Sequence, residues 1–532
     1  MLVSHKTENN MKASLLFLAV ILLVQNGQSA NILGIFPMGA GSHYILASKL
    51  MLGLAEAGHN ITFISPYEFK TQPKSGSIKN IVLEGAGDEF QKLLKESNLF
   101  ERNKQNLLLS LSTMLKNFVS SINDTLQDEK VNELLRSDQK FDAVIMEQFF
   151  NDALKVFAYL YDCPLILLNG GGPNSFVNPT VGNPEAISYI PNMMIKASRN
   201  QPMTFFERTK NALSHIIFVQ IKNYLLLPHQ NEVLHQKFPN VPEVTDLYLN
   251  ASLVLLNSHP SMHPPQALVP NMVEIGGYFI DPPKKLPKDL QEFLDNAKDG
   301  AIYFSMGSNL KSKDITEERK KIILKVLGKL KQKVIWKFEQ ELPGKPDNIL
   351  IKSWLPQQDI LAHPNIKLFI THGGLLSTTE TVYHGVPILA IPIFADQPMN
   401  AERAQAAGYG LTVPYTNEDF TEENFSHALE ELLHNPKYRD TAQRVSRLFH
   451  DRPMKPMDTA VYWVDYVIRN KGARHLRVGS IHQTWYQYYM VDVILFLLFS
   501  VLIFVKIVKF VVVKVFKTVR SKVIRQSKIK TQ

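Results

Sequence analysis

Trp354 to Gln397 reads WLPQQDILAHPNIKLFITHGGLLSTTETVYHGVPILAIPIFADQ. Its centre is a mostly apolar run, Ile366 to Ile370, followed by Thr371-His372-Gly373-Gly374 and a helical pattern from Ser377 to His384. A buried strand that feeds a helix through a glycine turn is the repeating unit of a parallel α/β sheet. The same geometry makes an anion site, because the glycines let the backbone approach a ligand while the helix N-terminus presents free N–H groups. His372 adds a directed donor. Glycine turns also serve packing alone, so the flanks decide. Upstream, Trp354-Leu355-Pro356-Gln357 offers a flat ring suited to stacking on a base, with an amide beside it. Downstream, Glu380 falls where a carboxylate accepts from ribose hydroxyls, and Asp396-Gln397 ends the next apolar run with two groups suited to sugar hydroxyls.

These residues, in this order and spacing, resemble the signature of the UDP-glycosyltransferase family, which contains the animal UDP-glucuronosyltransferases and their insect relatives. "THGG", "HG(V)P" and "P(I)FADQP" carry the resemblance, which covers roughly residues 31–515. It implies an α/β GT-B fold, with two Rossmann-like domains facing a cleft, UDP-sugar held by the second and acceptor by the first. It also implies inversion at the anomeric carbon without a metal, the UDP-sugar being a co-substrate and no cofactor being required. The donor site is then Ser308, Trp354, Gln357, His372, Gly373, Gly374, Glu380, Asp396 and Gln397. Vertebrate members usually carry Asn-Gly shortly after the two glycines; Leu376-Ser377 stands here, as in the insect pattern. A glucuronyl carboxylate needs a cation or strong donor, and no basic residue adjoins Asp396-Gln397. The expected donor is therefore UDP-glucose, with UDP-glucuronic acid left open, and the acceptor a small lipophilic alcohol or phenol, in a detoxification-type reaction. The other reading is a non-catalytic membrane-anchored protein that binds lipophiles on the same scaffold.

Working outward, the chain has 532 residues, 45% hydrophobic and 20% charged, which predicts two domains with sizeable cores. One cysteine, Cys163, excludes an intramolecular disulfide framework. Residues 1–30 have the basic, apolar and small-residue parts of a signal peptide, with cleavage near Ser29 or Ala30. Asn31–Phe36 reads as a strand, Tyr44–Ala57 as a helix and Ile61–Ser65 as a strand, opening a parallel sheet. Gly39-Ala40-Gly41 lacks the third glycine of a dinucleotide fingerprint. His43 stands at the carboxyl end of that first strand, where open α/β sheets bind ligands. The family, by resemblance, places its general base in a matching segment.

Phe141–Glu147 is a buried strand ending in an acid. Vertebrate relatives carry an aspartate there, so the carboxylate orienting His43 is Glu147, or Asp152 on the following segment. Residues 66–140 read as loops and amphipathic helices that shape an acceptor pocket, and the methionines and phenylalanines of 191–240 (Met193, Met194, Met203, Phe205, Phe206) as core or acceptor lining. Asp281–Pro287 is a stiff linker. The expected domains are 31–283 for acceptor and 284–480 for UDP-sugar. The second opens with strand Ala301–Ser305, its Gly307-Ser308 loop, helix Thr316–Leu330 and strand Lys333–Lys337.

Sequons stand at Asn60, Asn123, Asn250 and Asn424. A transmembrane helix is expected at 488–512, with Trp485, Tyr486, Tyr488 and Tyr489 as an aromatic belt, and a basic cytosolic tail at 513–532. The net charge of +9 equals the nine Lys/Arg of residues 506–532, which contain no acid. The basicity thus points to membrane lipid and excludes a nucleic-acid surface. Lys528 and Lys530 fit a dilysine retrieval pattern. Together these predict a single-pass type I protein of the endoplasmic reticulum membrane with lumenal catalytic domains and possible homo-oligomers.

Overall fold

A computed structural model describes residues 29–88, 90, 92, 100, 107–192, 195 and 202–529. The expected signal peptide up to residue 28, Met193, Met194 and Lys530 lie outside the described residues. The body of the protein, up to Arg477, contains two all-parallel sheets. The first holds β1 (Asn31–Ile35), β2 (Asn60–Ser65), β3 (Ser77–Val82), β4 (Ala143–Glu147), β5 (Leu165–Asn169), β6 (Ala251–Leu256) and β7 (Met272–Glu274). Their order is β3-β2-β1-β4-β5-β6-β7. β4, β5 and β6 are buried at every residue, as near-continuous apolar runs must be when helices cover both faces. β3 was not anticipated in the stretch 66–140. It is an edge strand, half exposed and carrying Lys79 and Asn80, so its local pattern is weak.

The second sheet holds β8 (Ala301–Ser305), β9 (Lys333–Lys337), β10 (Ile349–Lys352), β11 (Ile366–Thr371), β12 (Ile388–Ala390) and β13 (Gly410–Thr412), in the order β10-β9-β8-β11-β12-β13. Its core includes the fully buried Trp336, stacked on Phe304 with centroids 4.7 Å apart. In both sheets the winding direction reverses once, between β1 and β4 in the first and between β8 and β11 in the second. Each reversal leaves a crevice at the carboxyl ends of those two strands. His43 and Glu147 sit at the first crevice, the loops after Ser305 and Thr371 at the second.

The helix Pro456–Arg469 lies within the segment 284–480, yet it buries Ala460, Val464 and Val467 in the core of the first sheet, among Ile32, Leu50 and Ile275. Flanking that stripe, Asp465 reaches the buried His59 Nε2 of the first domain at 3.1 Å. The apolar stripe explains the docking, since leaving those side chains in water would forgo about 1.5–3 kcal/mol for each large one.

Residues 478–532 form a separate unit. A short capped helix, Trp485–Tyr488, precedes one helix of 39 residues, Val491–Ile529, which continues unbroken through the basic segment. Val491–Arg525 has a mean hydropathy of 2.8 over its most apolar window, none of it buried, and is long and apolar enough to cross a membrane. Of the sequon asparagines, Asn60, Asn250 and Asn424 are exposed and Asn123 is half-buried.

Candidate active site

In the first domain the helix Gly41–Glu56 starts directly after the loop that leaves β1, which places His43 in its first turn. Glu147 is the last residue of β4, the neighbour of β1, so the two meet although 104 residues separate them. His43 Nδ1 lies 2.6 Å from Glu147 Oε1; the histidine side chain is 23% exposed and the glutamate 3%. Phe149 packs its ring at 4.7 Å against the imidazole. Burial pulls the His43 pKa down, but the Glu147 carboxylate and, across the cleft, Asp396 outweigh it and hold the imidazole above its usual value. Asp152 is not brought to His43. The backbone turns away after Glu147, with Phe150 at φ 57°, and Asp152 pairs with Lys155 at 2.7 Å while accepting from Gln148.

In the second domain His372 is held between two glycines. A Cβ on Gly307 would stand 2.5 Å from the His372 ring, and one on Gly374 would stand 2.4 Å from it. Neither position admits a side chain. Burial, with the nearby Lys337 ammonium, pulls His372 down to about 4, so it is a neutral imidazole with one N–H to give. Lys337 Nζ donates to the Gly307 carbonyl at 2.7 Å and stands 5.5 Å from the centroid of Trp354, whose side chain is otherwise 71% exposed. The buried Glu380 carboxylate accepts from both Gln357 and Gln358, and burial raises its pKa to about 6. Tyr303 donates to Gln357 at 3.2 Å, fixing which end of that amide faces Glu380.

Asp396 precedes the helix Gln397–Ala407, its approach bent by Ala395 at φ 56°. Burial raises its pKa; Asn400 donates to it at 2.7 Å and, in the same sense, His43 and Arg403 oppose the rise. Gln397 Oε1 accepts from the backbone of Ile393 and Phe394, which turns its amide NH₂ outward. Ser308 faces Gly41 of the first domain, a Cβ there lying 3.5 Å from the serine hydroxyl.

One cleft of about 2350 Å³ is lined by His43, Glu147, Ser308, Trp354, Gln357, His372, Gly374, Glu380, Asp396 and Gln397. Gly373 is not in the lining. It makes the turn, with φ 81°, and its carbonyl accepts from Asn400. Asp152 is likewise absent from the wall. Beyond His43 the lining becomes aromatic: Phe118, Phe149, Phe150, Phe176 and Phe218 form a chain of ring contacts from 4.3 to 5.4 Å. The residues of 191–240 divide: Met203 is buried, whereas Phe205 and Phe206 are exposed and stand outside the wall of this cleft. Sequence reasoning missed Gln358, Asn400, Lys337 and the five phenylalanines. Asn400 had a signal, being one helical turn from Asp396, but the phenylalanines come from four separate segments. Among the described residues no group of three or more His, Cys, Asp or Glu is placed to hold a metal ion.

Residues 31–529 match the family model described as UDP-glucoronosyl and UDP-glucosyl transferase. The chain is 36% identical over 492 residues to UDP-glycosyltransferase UGT5 of Dactylopius coccus, covering 91% of this chain and 92% of that one. It is 34% identical to UDP-glucosyltransferase 2 of the same organism, over 92% and 94% of the two chains. With human UDP-glucuronosyltransferase 1A9 it shares 30% identity over 91% and 92%. Among solved structures, a UDP-glucose:anthocyanidin 3-O-glucosyltransferase in complex with UDP superposes with a TM-score of 0.53 at 17% identity, over 84% of this chain and 100% of that one. That likeness is one of fold.

Proposed function

The chain belongs to the UDP-glycosyltransferase family, and on that premise we propose that it transfers glucose, with inversion, from UDP-glucose to a hydroxyl of a small lipophilic acceptor. UDP-sugar-dependent glycosyl transfer on a GT-B scaffold follows from the membership itself. The observation that carries the finer reading is the His43–Glu147 pair, 2.6 Å apart at the crevice of the first sheet and lining the same cleft as the donor signature.

Glu147 accepts from the Nδ1–H of His43, which leaves Nε2 as the base. An acceptor hydroxyl lying against the phenylalanine wall gives its proton to Nε2 as its oxygen attacks the anomeric carbon. The bond to the diphosphate oxygen breaks on the opposite face and UDP departs with the electron pair. The developing charge is met by the N-terminus of the helix Leu375–His384, by the neutral His372 N–H and by Ser308. Trp354 stacks on the uracil, Glu380 accepts from the ribose hydroxyls, and Gln357 with Gln358 holds that carboxylate in place.

For the sugar, the outward amide of Gln397 and the carboxylate of Asp396 suit neutral hydroxyls. A glucuronyl carboxylate beside Asp396 would meet like charge unless Arg403, which also lines the cleft, offset it. The aromatic wall favours a flat, apolar acceptor. The topology that goes with this reading is type I in the endoplasmic reticulum, with the catalytic body lumenal and Val491–Arg525 as the span.

The test is direct. Purified full-length protein in nanodiscs is given labelled UDP-glucose or UDP-glucuronic acid with a simple phenol, and the product's anomeric configuration is read by NMR. A β-glucoside from the α-linked donor supports the reading. Clear preference for UDP-glucuronic acid overturns the sugar, and a retained configuration overturns the mechanism.

A further inference from the structure

The mechanism leaves unused a group of buried charges in the first domain. Phe205–Ile221, Lys222–Leu226 and Leu227–Lys237 form one continuous helix whose middle segment is a π turn. Pro228 supplies the cause, since it lacks the N–H that would bond the carbonyl of Tyr224 and its ring crowds that carbonyl. A widened turn re-aims the side chains it carries. Here it turns Lys222 inward. Lys222 is 8% exposed and lines the cleft.

A buried ammonium needs acceptors, and the protein supplies few. Among the described residues the one hydrogen bond of Lys222 Nζ runs to the Tyr248 hydroxyl at a long 3.4 Å, and the ammonium stands 4.5 Å from the centroid of that ring. Tyr248 is already committed, donating to the Phe176 carbonyl at 2.9 Å and carrying a second buried cation, Lys155, at 4.2 Å from its ring. The carboxylate of this group, Asp152, is taken by Lys155. A second acid, Glu185 in the cleft lining, also attracts Lys222; Ser175 donates to its Oε2 at 3.2 Å, and burial holds its carboxyl above its usual range. An ammonium has three donors, so Lys222 retains capacity toward a cleft wall that sets the phenylalanines beside polar groups such as Ser175, Asn211 and His215. Leaving such capacity unmet on a buried ammonium is costly.

We propose that Lys222 is an acceptor-recognition residue, and that the cleft takes acceptors bearing, besides the hydroxyl to be glycosylated, a carboxylate or carbonyl oxygen that docks on its ammonium. This rests on the acceptor lying along the first-domain wall as set out above. The phenylalanines hold the apolar body, and Lys222 fixes which way round it lies. The residue acts on affinity and orientation and takes no part in proton transfer.

The experiment measures kcat and KM of the full-length protein, at saturating UDP-sugar, on a matched set of phenols carrying a carboxylate, a ketone or an alkyl group of similar size. Wild-type protein should favour the oxygen-bearing members by about 10- to 100-fold in kcat/KM over the alkyl one, the range of a charge-assisted hydrogen bond. Lys222→Met should remove that preference through KM, with turnover of the alkyl phenol and UDP affinity kept, and Lys222→Arg should restore part of it. Glu185→Gln, which deletes the competing acid, should raise the preference for the carboxylate. It also serves as the second test should Lys222→Met fold poorly. A preference confined to the carboxylate or to the ketone would identify which oxygen docks. Equal use of all three phenols by wild-type protein, or a preference unchanged in Lys222→Met, overturns the inference. No turnover of any phenol indicts the acceptor reading beneath it instead.

Discussion

Glu147→Gln changes one oxygen to an amide and leaves the volume of the side chain intact. In the parent the carboxylate lies 2.6 Å from His43 Nδ1 and is 3% exposed, so the pair is shielded from water on the glutamate side. In the proposed mechanism His43 takes the acceptor proton and becomes an imidazolium, whose charge the carboxylate stabilises. With the charges spread over both groups an effective separation near ~4 Å and an effective dielectric of ~20 give about 4 kcal/mol. That corresponds to roughly a thousandfold in rate. The amide keeps part of this through its carbonyl, so kcat should fall by about 10²- to 10³-fold with UDP affinity unchanged. The pH profile supplies an independent sign. Burial lowers the His43 pKa, the Glu147 carboxylate and Asp396 raise it beyond compensation, and the free base must be unprotonated to act. Activity in the parent should therefore rise through a limb above pH 6.5, the ordinary histidine value, and that limb should move to lower pH in Glu147→Gln as the raising charge is lost. Steady-state kinetics from pH 5 to 9, with UDP titrated calorimetrically, reads both. Near-normal kcat, or a lower kcat with an unmoved limb, would refute the assignment of Glu147 as the residue that orients and charges His43.

Trp354→Ala should weaken UDP binding by about 5- to 100-fold, the usual worth of base stacking on an aromatic ring, and calorimetry with UDP alone measures it. In the proposed donor site Glu380 accepts from both ribose hydroxyls best as a carboxylate, and burial raises its pKa to about 6, so UDP affinity should fall as pH drops through that value; Glu380→Gln should bind weakly with no such dependence. Gly307→Ala would force a Cβ to within 2.5 Å of the His372 ring and place alanine at φ 87°; UDP binding should be lost or cut at least about tenfold, with a lower melting temperature. Truncation before Tyr489 should release a secreted, glycosylated protein, while Lys528→Ser with Lys530→Ser should let the full-length form leave the endoplasmic reticulum; retention of the double variant places the signal elsewhere.

What local pattern records, the sequence already tells. The strand–glycine–helix stretch around Thr371-His372-Gly373-Gly374, the opening β-α-β unit and the apolar run from Val493 were legible because backbone hydrogen bonding and burial periodicity act over a few residues. The edge strands β3, β10 and β13 were not, since short or half-exposed strands owe their pairing to neighbours far along the chain. The same division runs through the site. Ser308, His372 and Asp396 could be named as strand-end residues, but only the order β3-β2-β1-β4 brings Glu147 to His43 and sends Asp152 to Lys155. Likewise the helix Pro456–Arg469 follows the second domain in sequence and packs on the first, because its apolar stripe finds its cover there. Lys222 reads as one more helical lysine until the π turn before Pro228 aims it into the cleft. Sequence specifies which residues must leave water and which turns they take; which of them meet is fixed by sheet order and long-range packing, where no local signal reaches.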